Sequence, residues 1–132
     1  MQVSEFPDSE LWLVGYLRGA LAARPEPYAA GVKVGTAVPN PRITRMVVVR
    51  RDGGPKINLR QEVARFGINV WGGTEQEVTD LARLTRALLA ASVGVGPVRK
   101  VVESSGPSPI ADAQPRRYLV VEFTITGSVL TV

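Results

Sequence analysis

The chain predicts an α+β fold: a mixed, largely antiparallel sheet of about five strands with two helices packed on one face. Three observations predict it. Apolar, β-branched runs such as Met46-Val47-Val48-Val49 end at Gly/Pro turn clusters. Ala64, Phe66, Ile68 and Val70 alternate with Arg65, Gly67 and Asn69, the period of a half-buried strand. Between the strands, Val78, Leu81, Ala82, Thr85, Leu88 and Leu89 fall at helical spacing. At 132 residues the whole chain, 1–132, is expected to be one domain.

In order, Asp8 or Ser9 caps a first helix running to about Ala23, with Leu13, Val14, Leu17, Ala20 and Leu21 on the core stripe. Arg24-Pro25-Glu26-Pro27 ends it. A short strand over Val32–Thr36 precedes the break at Asn40-Pro41, and Ile43–Arg51 is a strong strand. Asp52-Gly53-Gly54-Pro55 reverses the chain into the return strand Val63–Trp71. Thr74 and Glu77 have the spacing of a capping box, in which each side chain satisfies a free backbone N–H. Gly94-Val95-Gly96-Pro97 stops the helix they open. The end reads as a hairpin: strand Val98–Ser105, loop Gly106–Pro115, and a last strand Tyr118–Leu130 that buries Leu119, Val121, Phe123, Ile125 and Val129. That last strand would be roughly 40 Å long at about 3.3 Å per residue. Either it bends at Gly127 or its end reaches a neighbouring subunit.

Composition excludes much chemistry. The chain has no Cys and no His, so disulfides and Cys/His zinc sets cannot form, and Ser-His-Asp or Cys-His catalysis is unavailable. Gly94-Val95-Gly96 lacks the third glycine of a dinucleotide fingerprint and runs into Pro97, and there is no Walker sequence. Asp52, Glu62 and Asp80 are acids that a hard cation would accept, but at these spacings they read as solvated side chains. The sequence therefore predicts no catalytic residues, no metal, no cofactor and no enzyme activity. The polar start MQVSEFPDSE is unlike a signal peptide. The apolar window Leu11–Ala23 contains Arg18 and is shorter than the about 20 residues a bilayer span needs. The expectation is a soluble protein without a membrane partner.

Two surface features carry the binding hypotheses. Opposite the core stripe of the first helix lie Trp12, Gly15, Tyr16 and Gly19, where two helix-interior glycines cost about 1 kcal/mol each against Ala. One reading packs this flank inside its own domain; the other makes it a subunit contact, since aromatics favour interface centres. The second feature is charge. The chain carries +4. Between Arg42 and Arg65 seven cations face two acids, while the remainder holds nine cations and ten acids. Either these are solvated strand faces, or they contact an acidic protein or a phosphate backbone. Only Phe66 is interleaved among them, which disfavours base stacking.

The succession VVVRRDGGP, the alternating strand closing on Val70-Trp71, the helix LARLTRALLAA, and VRKVVESSGPSPIADAQPRRYLVVEFTITG resembles the tail terminator proteins of long-tailed (siphovirus-type) bacteriophages, especially those of actinobacteria. The likeness covers nearly the whole chain through patterns, not catalytic signatures. It implies an α+β protein with helices on one face of its sheet, assembling as a homohexameric ring. Such a ring ends polymerisation of the major tail tube protein and offers a docking surface to the head–tail connector or stopper, and genomic DNA passes through its hole. The implied location is the virion head–tail junction, after assembly in the host bacterial cytoplasm. On this picture Trp12, Gly15, Tyr16 and Gly19 are candidates for the subunit interface, and Arg50, Arg51, Lys56 and Arg60 for contact with the tube or channel. The competing readings are another connector or neck protein, or a small basic nucleic-acid-binding domain.

Overall fold

Helix α1 (Ser9–Ala22) and helix α2 (Glu75–Ala90) lie on a five-stranded sheet in the computed structural model, which describes residues 1–132. The strands are β1 (Gln2–Glu5), β2 (Lys33–Gly35), β3 (Met46–Arg51), β4 (Gln61–Trp71), β5 (Val98–Pro109), β6 (Arg116–Thr126) and β7 (Ser128–Thr131). The sheet order is β2-β3-β4-β6-β5; β2 runs parallel to β3 and every other pairing is antiparallel. The fold is thus α+β with a mixed sheet and both helices against it, as the sequence predicts.

Strand parity decides the core. In register, Val49 lies opposite Ile68, which lies opposite Leu119, and Ala64 lies opposite Phe123. Those side chains therefore share the helix-facing side with Val47, Phe66, Val70, Val121 and Ile125, all buried. They pack against Leu13, Leu17 and Leu21 of α1 and Val78, Leu81 and Leu89 of α2. Phe66 and Phe123 meet at 5.4 Å with rings inclined 57°, an arrangement aromatic quadrupoles favour. Ala20 and Leu88, expected on the core stripes, are only half-buried at their margins.

Both helices begin where the sequence puts a cap. Asp8 accepts from Leu11 N–H at 3.0 Å, and Thr74 Oγ1 accepts from Glu77 N–H at 3.0 Å. The capping box is only half formed. The Glu77 carboxylate reaches past Thr74: its Oε1 accepts from Gly73 N–H (3.1 Å) and Arg45 Nε (2.8 Å), and its Oε2 from Arg45 Nη2 (3.3 Å).

Four expectations are corrected. Gly106–Pro109 is strand, not loop: Ser108 and Pro109 pair with Tyr118 and Arg117 beyond three register shifts. Strand β5 is the sheet edge, where missing proline donors and bulges are tolerated. The last strand does not run unbroken to Leu130 but breaks at Gly127, the first of the two alternatives the sequence left open. It stops at Thr126, and after Gly127 the chain forms β7, which pairs with β1, a strand the polar N-terminus did not announce. Val129 is consequently 41 % exposed and outside the core. Finally, Asp52–Pro55 opens a wider loop reaching to Arg60, whose glycines Gly53 and Gly54 have φ of 69° and 114°.

Candidate functional site

The structure divides the flank of α1. Trp12 and Tyr16 stack at 5.3 Å and 10°, and the Tyr16 hydroxyl donates to the Leu88 carbonyl of α2 at 2.6 Å. Burial raises the Tyr16 pKa, which keeps the phenol a neutral donor. The indole lies so close to Gly96 that a Cβ there would sit 2.6 Å from Trp12 Nε1. The two aromatics are thus a clamp between α1, the end of α2 and the turn before β5. Gly15 and Gly19 are different: a Cβ on either would meet nothing within 4 Å. With Leu11, 66 % exposed, they form an open and flat strip along α1.

The basic hairpin is also divided. Four of its seven cations are ion-paired to acids: Arg42 with Asp112, Arg45 with Glu77, Arg51 with Glu62 and Arg65 with Glu122. Arg51 points toward the helices, where its guanidinium contacts Glu62 and the Ser9 hydroxyl at 3.2 Å each. Its main-chain N–H donates to Glu10 at 2.7 Å. It is a tie between β3 and α1, so its candidacy as a contact residue is withdrawn. Arg50 stays exposed, its guanidinium near the Thr36 carbonyl at 3.3 Å. Lys56 stands 6.0 Å from the Phe6 ring, and Arg60 is exposed while its carbonyl accepts from Gly127 N–H at 2.8 Å. These three remain free to meet a partner.

The scattered acids have local duties. Glu62 serves Arg51, Asp80 accepts from Gln76 at 3.1 Å, and no three Asp or Glu side chains gather in a metal-binding group. No helix is long and apolar enough to cross a membrane.

Two features escaped the sequence. On the sheet face away from the helices, Met46, Val48 and Trp71 make a small second cluster. Asp112 closes it, accepting from Arg42 (2.6 Å), Trp71 Nε1 (3.3 Å), Arg116 (3.3 Å) and Gln114 N–H (3.3 Å). The Arg42 hydrogen bond, then those of Gln114 and Trp71, hold its carboxyl far below the usual carboxylate range against the opposing effect of burial. Arg116 lies 5.0 Å over the Trp71 ring and also binds Asn69 Oδ1 at 2.7 Å. This clasp fastens the segments around residues 42 and 112 to β4. Only the unpartnered indole N–H of a strand-end Trp hinted at it.

The second feature is the β1–β7 ribbon. It is exposed along nearly its whole length, and with the 56–60 loop it bounds a groove of about 360 Å³. Gln2, Val3, Ser4 and Val129 of the ribbon face Lys56, Leu59 and Arg60 of the loop across it. Leu59 is 77 % exposed. Its acidic and polar surroundings hid the ribbon, because neither strand buries a side chain that would give it a periodic signature. Comparison of the chain with models of known protein families finds no match, and comparison with characterised proteins finds none either.

Proposed function

We propose that this chain is a non-catalytic structural subunit of the tail-terminator type. Copies join head to tail in a ring, six by the family resemblance, that caps the phage tail tube and ends its polymerisation. The other side of the ring meets the head–tail connector, and DNA passes through the centre. The observation that carries the reading is architectural. A mixed sheet bearing both helices on one face is what the resemblance implies, and the subunit exposes two unlike surfaces. One is the glycine strip of α1 with Leu11; the other is the ribbon with the Lys56–Arg60 loop. The strip is assigned to the neighbouring subunit, which receives it on a different part of the fold as head-to-tail association requires, and the ribbon with its loop is assigned to the tube.

The contact candidates narrow accordingly. Leu11, Gly15 and Gly19 replace the aromatic pair at the subunit interface, and Arg50, Lys56 and Arg60 remain for the tube. The nucleic-acid alternative is weakened by pairing: nine of sixteen cations are bound to acids of the same chain. Size-exclusion chromatography with light scattering, alone and with tube protein, tests the ring. A strict monomer under both conditions sinks it, and DNA affinity that falls steeply with salt would favour the alternative.

A further inference from the structure

We propose that the groove between the β1–β7 ribbon and the 56–60 loop docks an extended, acidic polypeptide strand, which adds to the open edge of β1. The inference concerns a single subunit and does not rest on the ring.

Hydrogen-bond parity identifies the open edge. Val132 N–H donates to the Met1 carbonyl at 2.8 Å and Met1 N donates to the Val132 carbonyl at 3.0 Å, so these two residues form a bonded pair. Antiparallel ladders alternate. In the observed register, Val3–Leu130 and Glu5–Ser128 are then the next bonded pairs. Gln2 and Ser4, which pair with Thr131 and Val129 between them, turn their main-chain N–H and C=O groups away from β7. Both residues also line the groove, with Val3 between them. An unpaired strand edge is a template for another strand. A two-stranded ribbon is marginal by itself, and a third strand would complete it.

The walls select the occupant. Leu59 and Val129 leave apolar surface in water on the loop and ribbon sides, ready to receive alternate side chains of an incoming strand. Lys56 and Arg60 supply two cations without an acidic partner. Glu62, which bridges to Lys56 through the main chain, is committed to Arg51, and Glu5 lies on the other ribbon face by parity. A polypeptide suits this better than a nucleic acid, because no aromatic side chain lines the groove for base stacking. A second copy is a poor match too. Of the chain's four acids without an ion pair, Asp8 caps α1 and Glu10 holds Arg51 N–H. Glu5 lies within the ribbon itself and Asp52 stands alone in a loop, so no extended acidic strand is on offer.

The probe is a fluorescent octapeptide of alternating Glu and Val, followed by anisotropy and by amide chemical shifts of the labelled protein. Expected are binding, shifts at Gln2, Ser4, Lys56 and Arg60, and an affinity loss of about tenfold or more in Lys56→Glu/Arg60→Glu. N-methylation of those alternate peptide amides that face β1 should abolish binding, because it removes the donors to the β1 carbonyls, while methylation of the other set should not. Leu59→Ser, also on the exposed loop, should weaken binding while circular dichroism stays unchanged. Equal binding of a Lys–Val octapeptide, indifference to both variants, or shifts elsewhere would overturn the proposal. So would tighter binding of duplex DNA at the same amides, or the same shifts appearing on concentrating the protein alone. A ring that fails to form leaves this result unaffected.

Discussion

Replacing Asp112 by Asn removes one charge at the centre of the Trp71 clasp while keeping its shape. The side chain is 7 % exposed and accepts four hydrogen bonds, two of them from guanidinium groups. Their losses differ in weight. Arg42 is 44 % exposed, so water takes over much of its partner's role and about 1 kcal/mol or less is forfeited. Arg116 keeps Asn69 Oδ1 at 2.7 Å and is not orphaned. The larger cost is the new amide N–H₂ facing two cations beside a Trp71 that is 2 % exposed, on the order of 1–2 kcal/mol. The sum is about 2 kcal/mol, or roughly 6–8 °C in Tm for a chain of this length. The pH dependence has a definite sign. The native carboxyl titrates well below its unfolded value near 3.8, so its stabilisation is present above that value and is lost progressively as pH falls from there toward the lowered native value. The gap between wild type and Asp112→Asn should be full at about pH 6 and narrow toward pH 3. Urea unfolding at several pH values, with Trp71 fluorescence in a Trp12→Phe background, measures it. A gap below about 0.5 kcal/mol at neutral pH, or one that does not change on acidification, refutes the reasoning.

Gly96→Ala combines a φ of +53° with a Cβ 2.6 Å from the Trp12 indole, and should cost about 2–4 kcal/mol in chemical denaturation, with a shift in tryptophan emission. Gly15→Ala and Gly19→Ala point into open space, so each should stabilise the subunit by up to about 1 kcal/mol. The same changes should lower the assembled fraction in light scattering if the flat strip of α1 meets a neighbour. Phe123→Ala removes a ring 1 % exposed and packed on Phe66, and should lower stability by about 3–5 kcal/mol, seen as a reduced urea midpoint.

Local chemistry made much of the fold legible. Asp8 and Thr74 announced both helices, and the period-two run from Ala64 to Val70 fixed which face of β4 is buried. The proline-rich end of β5 was misread as loop because Pro107 and Pro109 break strands in general, whereas an edge strand tolerates them. The candidate contact residues were half legible. Helical geometry set Trp12, Gly15, Tyr16 and Gly19 opposite the core stripe, yet Trp12 and Tyr16 pack against the core and only the glycines stay open. It said nothing of the Leu88 carbonyl that claims Tyr16, or of the free space over the glycines.

Charge shows the same division most clearly. The amino-acid sequence by itself determined both helices, the central strands with their buried faces, and an excess of cations between residues 42 and 65. Propensity, capping and periodicity act within a few residues, and each is complete in a short window of chain. Which cations stay available was decided only when distant acids arrived: Asp112 at Arg42, Glu77 at Arg45, Glu122 at Arg65. The pairing of the two ends into an open-edged ribbon beside Lys56 and Arg60 was decided in the same way. Ion pairs and strand ladders join groups far apart along the chain, and only a packed core brings them within reach.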